Sequence, residues 1–349
     1  MSIKDLRDGD HCFGQFLVAD SRKCVSGKGK NYLSITLQDS TGTIDAKKWD
    51  VFPEDEETIV RGSIVEVQGE VLLYQKSLQM KVLSCAKVAA DNIDWSRFLL
   101  SSPVSEKELE AKLNAYIDSI GNKKLRELVK KVISNSEGKY LSWPGAVRNH
   151  HDFVSGLLYH SITMTDVAAK VCSVYKSLNR DVVIAGTLIH DIGKTVELSS
   201  PQACQFTLEG KLLGHVSIGF ALVYDAAHEV GMHDFDNLPE KEKTPDSPLY
   251  KDKELALIME HIMLSHHGKA EFGSPVLPVT RESLIVSMID DMDAKMMILD
   301  KAYSTIANGE TTARLFNMDD RYFYKPTYAS DSHAPSGTSL EEEKEDLAK

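Results

Sequence analysis

The chain has 349 residues, 42% hydrophobic and 26% charged, enough for roughly two domains of ~150 residues, each with a sizeable core. A net charge of -12 argues against a protein that coats nucleic acid electrostatically, although a local basic groove, or cations held at one site, can still attract a phosphate. No apolar run approaches the ~20 residues of a membrane helix, the charged start MSIKDLRDGDH lacks a signal-peptide stretch, and five scattered cysteines form no CxxC pair, so the expectation is a cytoplasmic protein with reduced thiols and no membrane partner.

Residues 1–90 read as β-structure. Tyr32 to Leu37 alternates, Asp39-Ser40-Thr41-Gly42 is a turn, and Thr43 to Trp49 follows as the return strand of a hairpin. Ser63 to Val71 alternates again and precedes Leu78 to Val82, with a short helical insert expected near 54–59. Five strands with that insert predict a five-stranded barrel of the oligonucleotide-binding (OB) type, a ligand-free β-barrel being the bland alternative. Phe13, Phe16, Tyr32, Trp49 and Tyr74 are its candidates for base stacking. Arg22, Lys23, Lys28 and Lys30 lie in a Gly-containing loop and are its candidates for backbone contacts. Each aromatic has core packing as its competing role, and each cation has solvation.

Residues 91–145 read as a linker and connecting helices. Ser105-Glu106-Lys107-Glu108 is a capping box, and Leu109, Leu113, Tyr116, Ile117 and Ile120 repeat at helical spacing after it. Residues 146–315 carry helical periodicity without a convincing strand. Residues 316–349 read as a tail, partly disordered, that turns acidic near its end. The fold class is therefore multi-domain α+β, a barrel followed by an all-α domain.

The helical half puts metal-ligand side chains on apolar helices. They are His160, the pair His190-Asp191, His215 after Leu212-Leu213-Gly214, the run His261 to His267, and the acidic group Asp290, Asp291 and Asp293. A lone histidine on such a helix is more often a hydrogen-bonded core residue, and an aspartate near a helix end more often a cap. The set reads differently, because several imidazoles and two carboxylates in one helical core are costly without a cation. Mixed nitrogen and oxygen donors suit Mn, Fe, Co, Ni or Zn better than Ca. Gly193, following the His-Asp pair, is expected to let its helix end.

The order His160, His190-Asp191, Asp290 resembles the HD superfamily. Longer strings narrow the resemblance: His150 to His160, His190-Asp191-Ile192-Gly193-Lys194, Leu212 to His215, Ser265-His266-His267-Gly268, Glu271 to Pro275 and Asp290 to Lys295. These look like the YhaM-type 3'-to-5' exoribonucleases, which also place an OB barrel before the HD domain; the likeness covers roughly residues 5–315. The chain departs from that pattern at Ser155 (usually Gly), Tyr159 (commonly acidic) and Ser287 (where His is expected).

The resemblance implies metal-dependent removal of 5'-monophosphates from the 3' end of single-stranded RNA, with single-stranded DNA as a further substrate. It implies two divalent ions, Mn2+ foremost, with Mg2+, Co2+, Fe or Ni as alternatives. Asp191 is the expected bridge, since a carboxylate has two oxygens and an imidazole cannot bridge. His160, His190 and Asp290 would complete one site. His215 and His266 would serve the second, with His261 or His267 as alternatives. Lys194, one turn beyond the pair, is a candidate for holding a phosphate oxygen, against a solvated helix-end lysine. Phe272 is a candidate for stacking on a terminal base, against a place in the core. Two other functions remain open: an HD phosphodiesterase acting on a small nucleotide, and a non-catalytic nucleic-acid-binding adaptor. A homo-oligomer is also left open.

Overall fold

A computed structural model describes residues 2–27, 29–74, 77–89, 93–147, 153–202 and 204–328. The expectations placed on Lys28, on His150 to Asp152 and on the tail beyond Tyr328 fall outside these residues. The chain divides into two compact units, the first reaching residue 101 and taking in 200–204, the second holding 102–199 and the rest.

In the first unit, β1 (His11–Val25), β2 (Asn31–Asp39), β3 (Gly42–Trp49), β4 (Ile64–Tyr74) and β5 (Ser77–Lys87) close a barrel in the order β1-β2-β3-β5-β4, with helix α1 (Pro53–Thr58) between β3 and β4. β1 serves two neighbours: Leu17 and the residues before it pair with β4, Leu17 and those after it with β2, with a bulge between Val18 and Asp20. The β2–β3 turn is set by Asp39, whose Oδ1 accepts the N–H groups of Thr41 (2.7 Å) and Gly42 (3.1 Å). Alternation puts Leu33, Ile35 and Leu37 of β2 inside, against Val18, Ile44, Val65 and Met80.

Phe16 belongs to that core and corrects the stacking assignment, since only 1% of its surface is exposed. Phe13 and Phe16 are three residues apart on one strand and so point to opposite faces; Phe13 is outside, at 66% exposure. Burying a phenylalanine stabilises the fold by roughly 1.5–3 kcal/mol, which fixes Phe16 inside. Part of the expected linker also packs on the barrel. Phe98 is buried with Leu17 and Ile64, and its carbonyl accepts from Gln38 Nε2 at 2.9 Å.

The second unit contains α2 (Glu106–Asp118), α3 (Lys123–Asn135), α4 (Lys139–Ser142), α5 (Gly156–Val174), α6 (Arg180–Ile189), α7 (Lys194–Glu197), α8 (Leu208–Glu229), α9 (Pro248–Ser265) and α10 (Arg281–Tyr303). Its core joins Leu109 and Leu113 of α2 to Leu157 and Met164 of α5, Ile184 and Leu188 of α6, Ile262 of α9 and Val286 of α10. Ser105 caps α2 by accepting from Glu108 N–H at 3.3 Å. Ser155, the N-cap of α5, has φ 61°, ψ 18°, a left-handed conformation in which a glycine meets no strain. No helix among the described residues is long and apolar enough to cross a membrane.

Candidate metal centre and nucleic-acid interface

Five helices or their ends supply one cluster. His160 comes from the second turn of α5, and His190 caps the C-terminus of α6 with Asp191 directly after it. His215 follows a break in α8, His266 and His267 follow α9, and Asp290 lies mid-way along α10.

Two local devices bring these groups within reach. Gly214 has φ 70° inside α8, so the helix kinks and the His215 N–H turns away from the helical ladder onto Glu197 Oε1, at 2.9 Å. Gly193 has an ordinary φ of -59°, so it is needed for closeness and not for a left-handed stop, which corrects the sequence expectation. A Cβ there would stand 2.0 Å from the His215 carbonyl oxygen and 2.7 Å from Gly219 N. The turn after Asp191 and the kink before His215 are therefore pressed together.

Asp191 is shared between two donor sets. Its Oδ2 lies 3.3 Å from His190 Nε2 and 3.6 Å from His160 Nε2. Its Oδ1 lies 3.4 Å from His215 Nε2 and 3.6 Å from His266 Nε2. His160 Nε2 is also 3.3 Å from Asp290 Oδ1, and His215 Nε2 is 3.2 Å from His267 Nε2. Donor atoms of His160, His190 and Asp290 fall within 4.8 Å of one another, and so do those of Asp191, His215, His266 and His267.

Every imidazole is backed on its other nitrogen. Nδ1 of His160 meets Asp293 Oδ2 (2.7 Å), that of His190 the Thr187 carbonyl (3.0 Å), and that of His215 Glu197 Oε1 (3.1 Å). Nδ1 of His266 meets the Met263 carbonyl (2.8 Å) and that of His267 the Phe272 carbonyl (2.7 Å). An acceptor at Nδ1 fixes the proton there and turns the Nε2 lone pair inward, the arrangement that holds histidine ligands on a metal. The test of fit is the pair of buried atoms left over. Asp191 Oδ1 and His266 Nε2 have no hydrogen-bond partner, and an orphan of this kind costs roughly 1–3 kcal/mol unless something binds it. The donor set fits two transition-type cations, and the orphaned atoms point where they would sit.

Charge in the cluster follows the same logic. Burial opposes a charged ring at His160, but Asp290 and Asp293 outweigh it and raise its pKa to about 10. Burial would raise the Asp191 carboxyl, but Lys194 and His190 hold it well below the usual carboxylate range. Burial lowers both His266 and His267, the latter to about 4, so both rings are neutral and able to ligate near neutrality.

Among the remaining expectations, Lys194 is buried and its Nζ sits 2.6 Å from Asp191 Oδ2, so it is not a solvated helix-end lysine. His261 stands apart from the cluster, its Nε2 accepting from the Val279 N–H at 3.0 Å. Phe272 is 56% exposed, outside the core, with Lys269 Nζ 5.3 Å from its ring centre. Sequence reasoning missed Glu197 as the partner of His215 and left Asp293 without a role, although its position three residues after Asp290 puts both on one helical face.

On the barrel, Tyr32 and Trp49 are cross-strand partners with ring centres 4.6 Å apart. Lys47 reaches over the Tyr32 ring at 5.5 Å and to Ser34 Oγ at 2.5 Å; it was missed, although the period of two puts it on the same face as Trp49. Tyr74 is exposed at the end of β4. Arg22 and Lys23 lie on β1, paired with β2, and not in the loop, which corrects that expectation. Arg22 pairs with Asp20 (3.1 Å), Lys23 with Glu56 (2.6 Å) and Lys30 with Asp50 (3.6 Å). The lysine pairs and Arg22 are largely exposed and so exchangeable for phosphate, since such pairs are worth only about 0–1 kcal/mol.

Two family models match the chain. Residues 18–88 match the family model of the OB-fold nucleic acid binding domain of the tRNA anticodon type, and residues 157–295 match that of the HD domain. The second OB-fold domain of replication protein A from Methanococcus maripaludis is similar in solution structure to part of the chain. Identity is 20%, covering 27% of this chain and 98% of that one, with a TM-score of 0.23. The chain thus carries an OB-fold nucleic-acid-binding domain followed by an HD domain, the domain of metal-dependent phosphohydrolases.

Proposed function

We propose that the protein is a metal-dependent 3'-to-5' exoribonuclease, shortening single-stranded RNA, and single-stranded DNA as a second substrate, and releasing 5'-monophosphates. The observation that carries the reading is the split carboxylate of Asp191, with Oδ2 toward His160 and His190 and the unpartnered Oδ1 toward His215 and His266. Two divalent cations, Mn2+ foremost, would supply Lewis acidity and the positive charge that a phosphodiester demands. His160, His190 and Asp290 would hold one, and His215, His266 and His267 the other, with Asp191 common to both.

The chain's own residues do the rest. Asp293 and Glu197 orient His160 and His215 and keep a proton on each Nδ1. Lys194 Nζ, held on Asp191 Oδ2 at 2.6 Å, would place an ammonium beside the ions to meet a phosphate oxygen. The half-buried His215, His267 and Asp290 mark the side from which a phosphate can enter, because His190 and His266 are fully enclosed. Phe272 stands beside that entrance, its carbonyl bonded to His267, and offers a stacking face to a terminal base. Tyr32, Trp49, Tyr74 and Lys47 on the barrel suit a longer strand.

The test uses one single strand labelled at its 3' or its 5' end, incubated with Mn2+ or with chelator. Immediate release of the 3' label as a mononucleotide, and a ladder from the 5'-labelled strand, are expected only with metal. A circular single strand should resist; its rapid cleavage would sink the exonuclease reading even with every ligand in place.

A further inference from the structure

The helical unit has a second concave surface that the metal cluster does not use. The last turns of α10 and the segment after it enclose a groove of about 410 Å3 lined by Ile298, Lys301, Arg314, Leu315, Phe316 and Asn317. Phe316 is 83% exposed, a ring held out into solvent by a short 3-10 turn (Phe316–Met318). Across it lie two cationic side chains and an amide. Arg314 also pairs with Asp320 and sits 6.0 Å over the Tyr322 ring, so its guanidinium is already placed and stays about half exposed. The turn itself is fastened at its base: Leu315 and Arg321 form a β-bridge, and Lys325 Nζ caps α10 through the Tyr303 (3.1 Å) and Ile306 (3.2 Å) carbonyls.

The position of this groove along α10 gives it meaning. Lys301 follows Asp290 by eleven residues, close to three helical turns, so both project from one face of a helix that runs unbroken from Arg281 to Tyr303. Their separation along the axis is ~16 Å at 1.5 Å per residue. A strand whose terminal phosphate lies at Asp290 and whose body follows that face reaches the groove within at most about five nucleotides, at ~3.4 Å per stacked nucleotide. An exposed ring beside two cations is what a base and its phosphate require, since every base has a π-face and every link a charge.

We infer that the groove between the C-terminal turns of α10 and Phe316 is a subsite for single-stranded nucleic acid, a base stacking on Phe316 with its phosphate between Lys301 and Arg314. This rests on the exonuclease reading for the direction of the strand, but not for the contact itself. The subsite would hold substrate several nucleotides back from the bond being cut.

Binding of a fluorescent 12-nucleotide single strand, followed by anisotropy in chelator, reads the contact without hydrolysis. Phe316→Ala should weaken it about tenfold, as expected for loss of one stacked base. Phe316→Trp should restore it. Lys301→Gln should reduce the slope of log affinity against log salt by about 0.7. Unchanged affinity in Phe316→Ala, or an equal loss in Phe316→Ala and Phe316→Trp, would overturn the subsite. With Mn2+ present, the ratio of KM for the 12-mer to KM for a dinucleotide should rise about tenfold in Phe316→Ala, and an unchanged ratio counts against the subsite too. A protein that binds the strand through Phe316 yet never shortens it would leave the groove standing and remove the exonuclease.

Discussion

The barrel and the helical unit both carry many ionisable side chains, and they treat them in opposite ways. On the barrel, Arg22, Lys23 and Lys30 each stand against a carboxylate: Asp20, Glu56 and Asp50. In the helical unit the charges converge. Five imidazoles aim Nε2 at two carboxylates, and two buried atoms of that cluster, Asp191 Oδ1 and His266 Nε2, have no hydrogen-bond partner. Exposed pairs leave the fold almost indifferent to their loss, whereas a buried cluster with unpartnered atoms gains stability from a ligand. Surface recognition can be revised residue by residue; the metal centre stands or falls as a unit.

The sharpest way to break this contrast is Asp191→Asn, which keeps shape and removes the shared charge. Hydrolysis should fall by about 10^3 or more, the equivalent of several kcal/mol of lost charge stabilisation, and bound metal measured by elemental analysis should fall with it. Near-normal turnover would disprove the bridge. Next in size is Glu197→Gln, which weakens the acceptor for both the His215 N–H and Nδ1. Metal affinity, read by competition with a chromogenic chelator, should drop about 10–100-fold, while Glu271→Gln, an exposed acid in the nearby loop, should leave it unchanged. Equal effects would make Glu197 merely one negative charge among several.

The barrel should respond more gently. Trp49→Ala removes one stacking face and should weaken binding of a long single strand about tenfold, with turnover of a chromogenic phosphodiester retained. Parallel loss on both substrates would mean that the barrel is not a separable recognition module.

Acidity separates the units further. His160 is raised to about 10 from its usual 6.5, so the metal-free protein keeps that contribution to stability below pH 6.5 and loses it as pH rises through about 10. A cation competes with that proton, so metal affinity should climb with pH up to about 10, approaching tenfold per unit. His267, lowered to about 4, adds no competing proton above about pH 5. Titration calorimetry in buffers of different ionisation heat should find about one proton released per loaded centre at pH 8; none would show that His160 is not displaced.

The smallest effect tests strain. Ser155→Gly at φ 61° should stabilise the metal-free protein by about 1 kcal/mol in denaturant unfolding, since the left-handed conformation costs serine and not glycine. Destabilisation would show that the hydroxyl contributes more than the backbone loses.

Much of this was legible before any coordinates. The alternation of Tyr32 to Leu37 marks its strand because inward and outward positions differ in chemistry, and His190-Asp191 stands out because polar pairs seldom end so apolar a helix. The residues that read wrongly were those whose neighbours are distant in sequence. Phe16 looks like Phe13 until the parity of the strand is counted. Gly193 looks like a helix stop, and only the His215 carbonyl 2.0 Å from its missing Cβ reveals a contact between two helices. Glu197 goes unread in the sequence, because nothing local announces that a kink at Gly214 will present it with a backbone N–H. His261 and His267 are indistinguishable by type and spacing; the turn after Ser265 brings one ring inward and leaves the other with Val279.

The kink at Gly214 also has a consequence for the life of the protein. It makes the middle of a 22-residue helix depend on a contact outside itself, since the His215 amide has exchanged its helical carbonyl for the side chain of Glu197. A cation held by His215, His266 and His267 would tie α8 to α9 and close that gap, and ligand at a thousand times its dissociation constant adds about 4 kcal/mol to the folded state. The supply of metal would then govern how long the molecule lasts as well as how fast it works, and starved chains would open first at the break in α8, where a protease could enter.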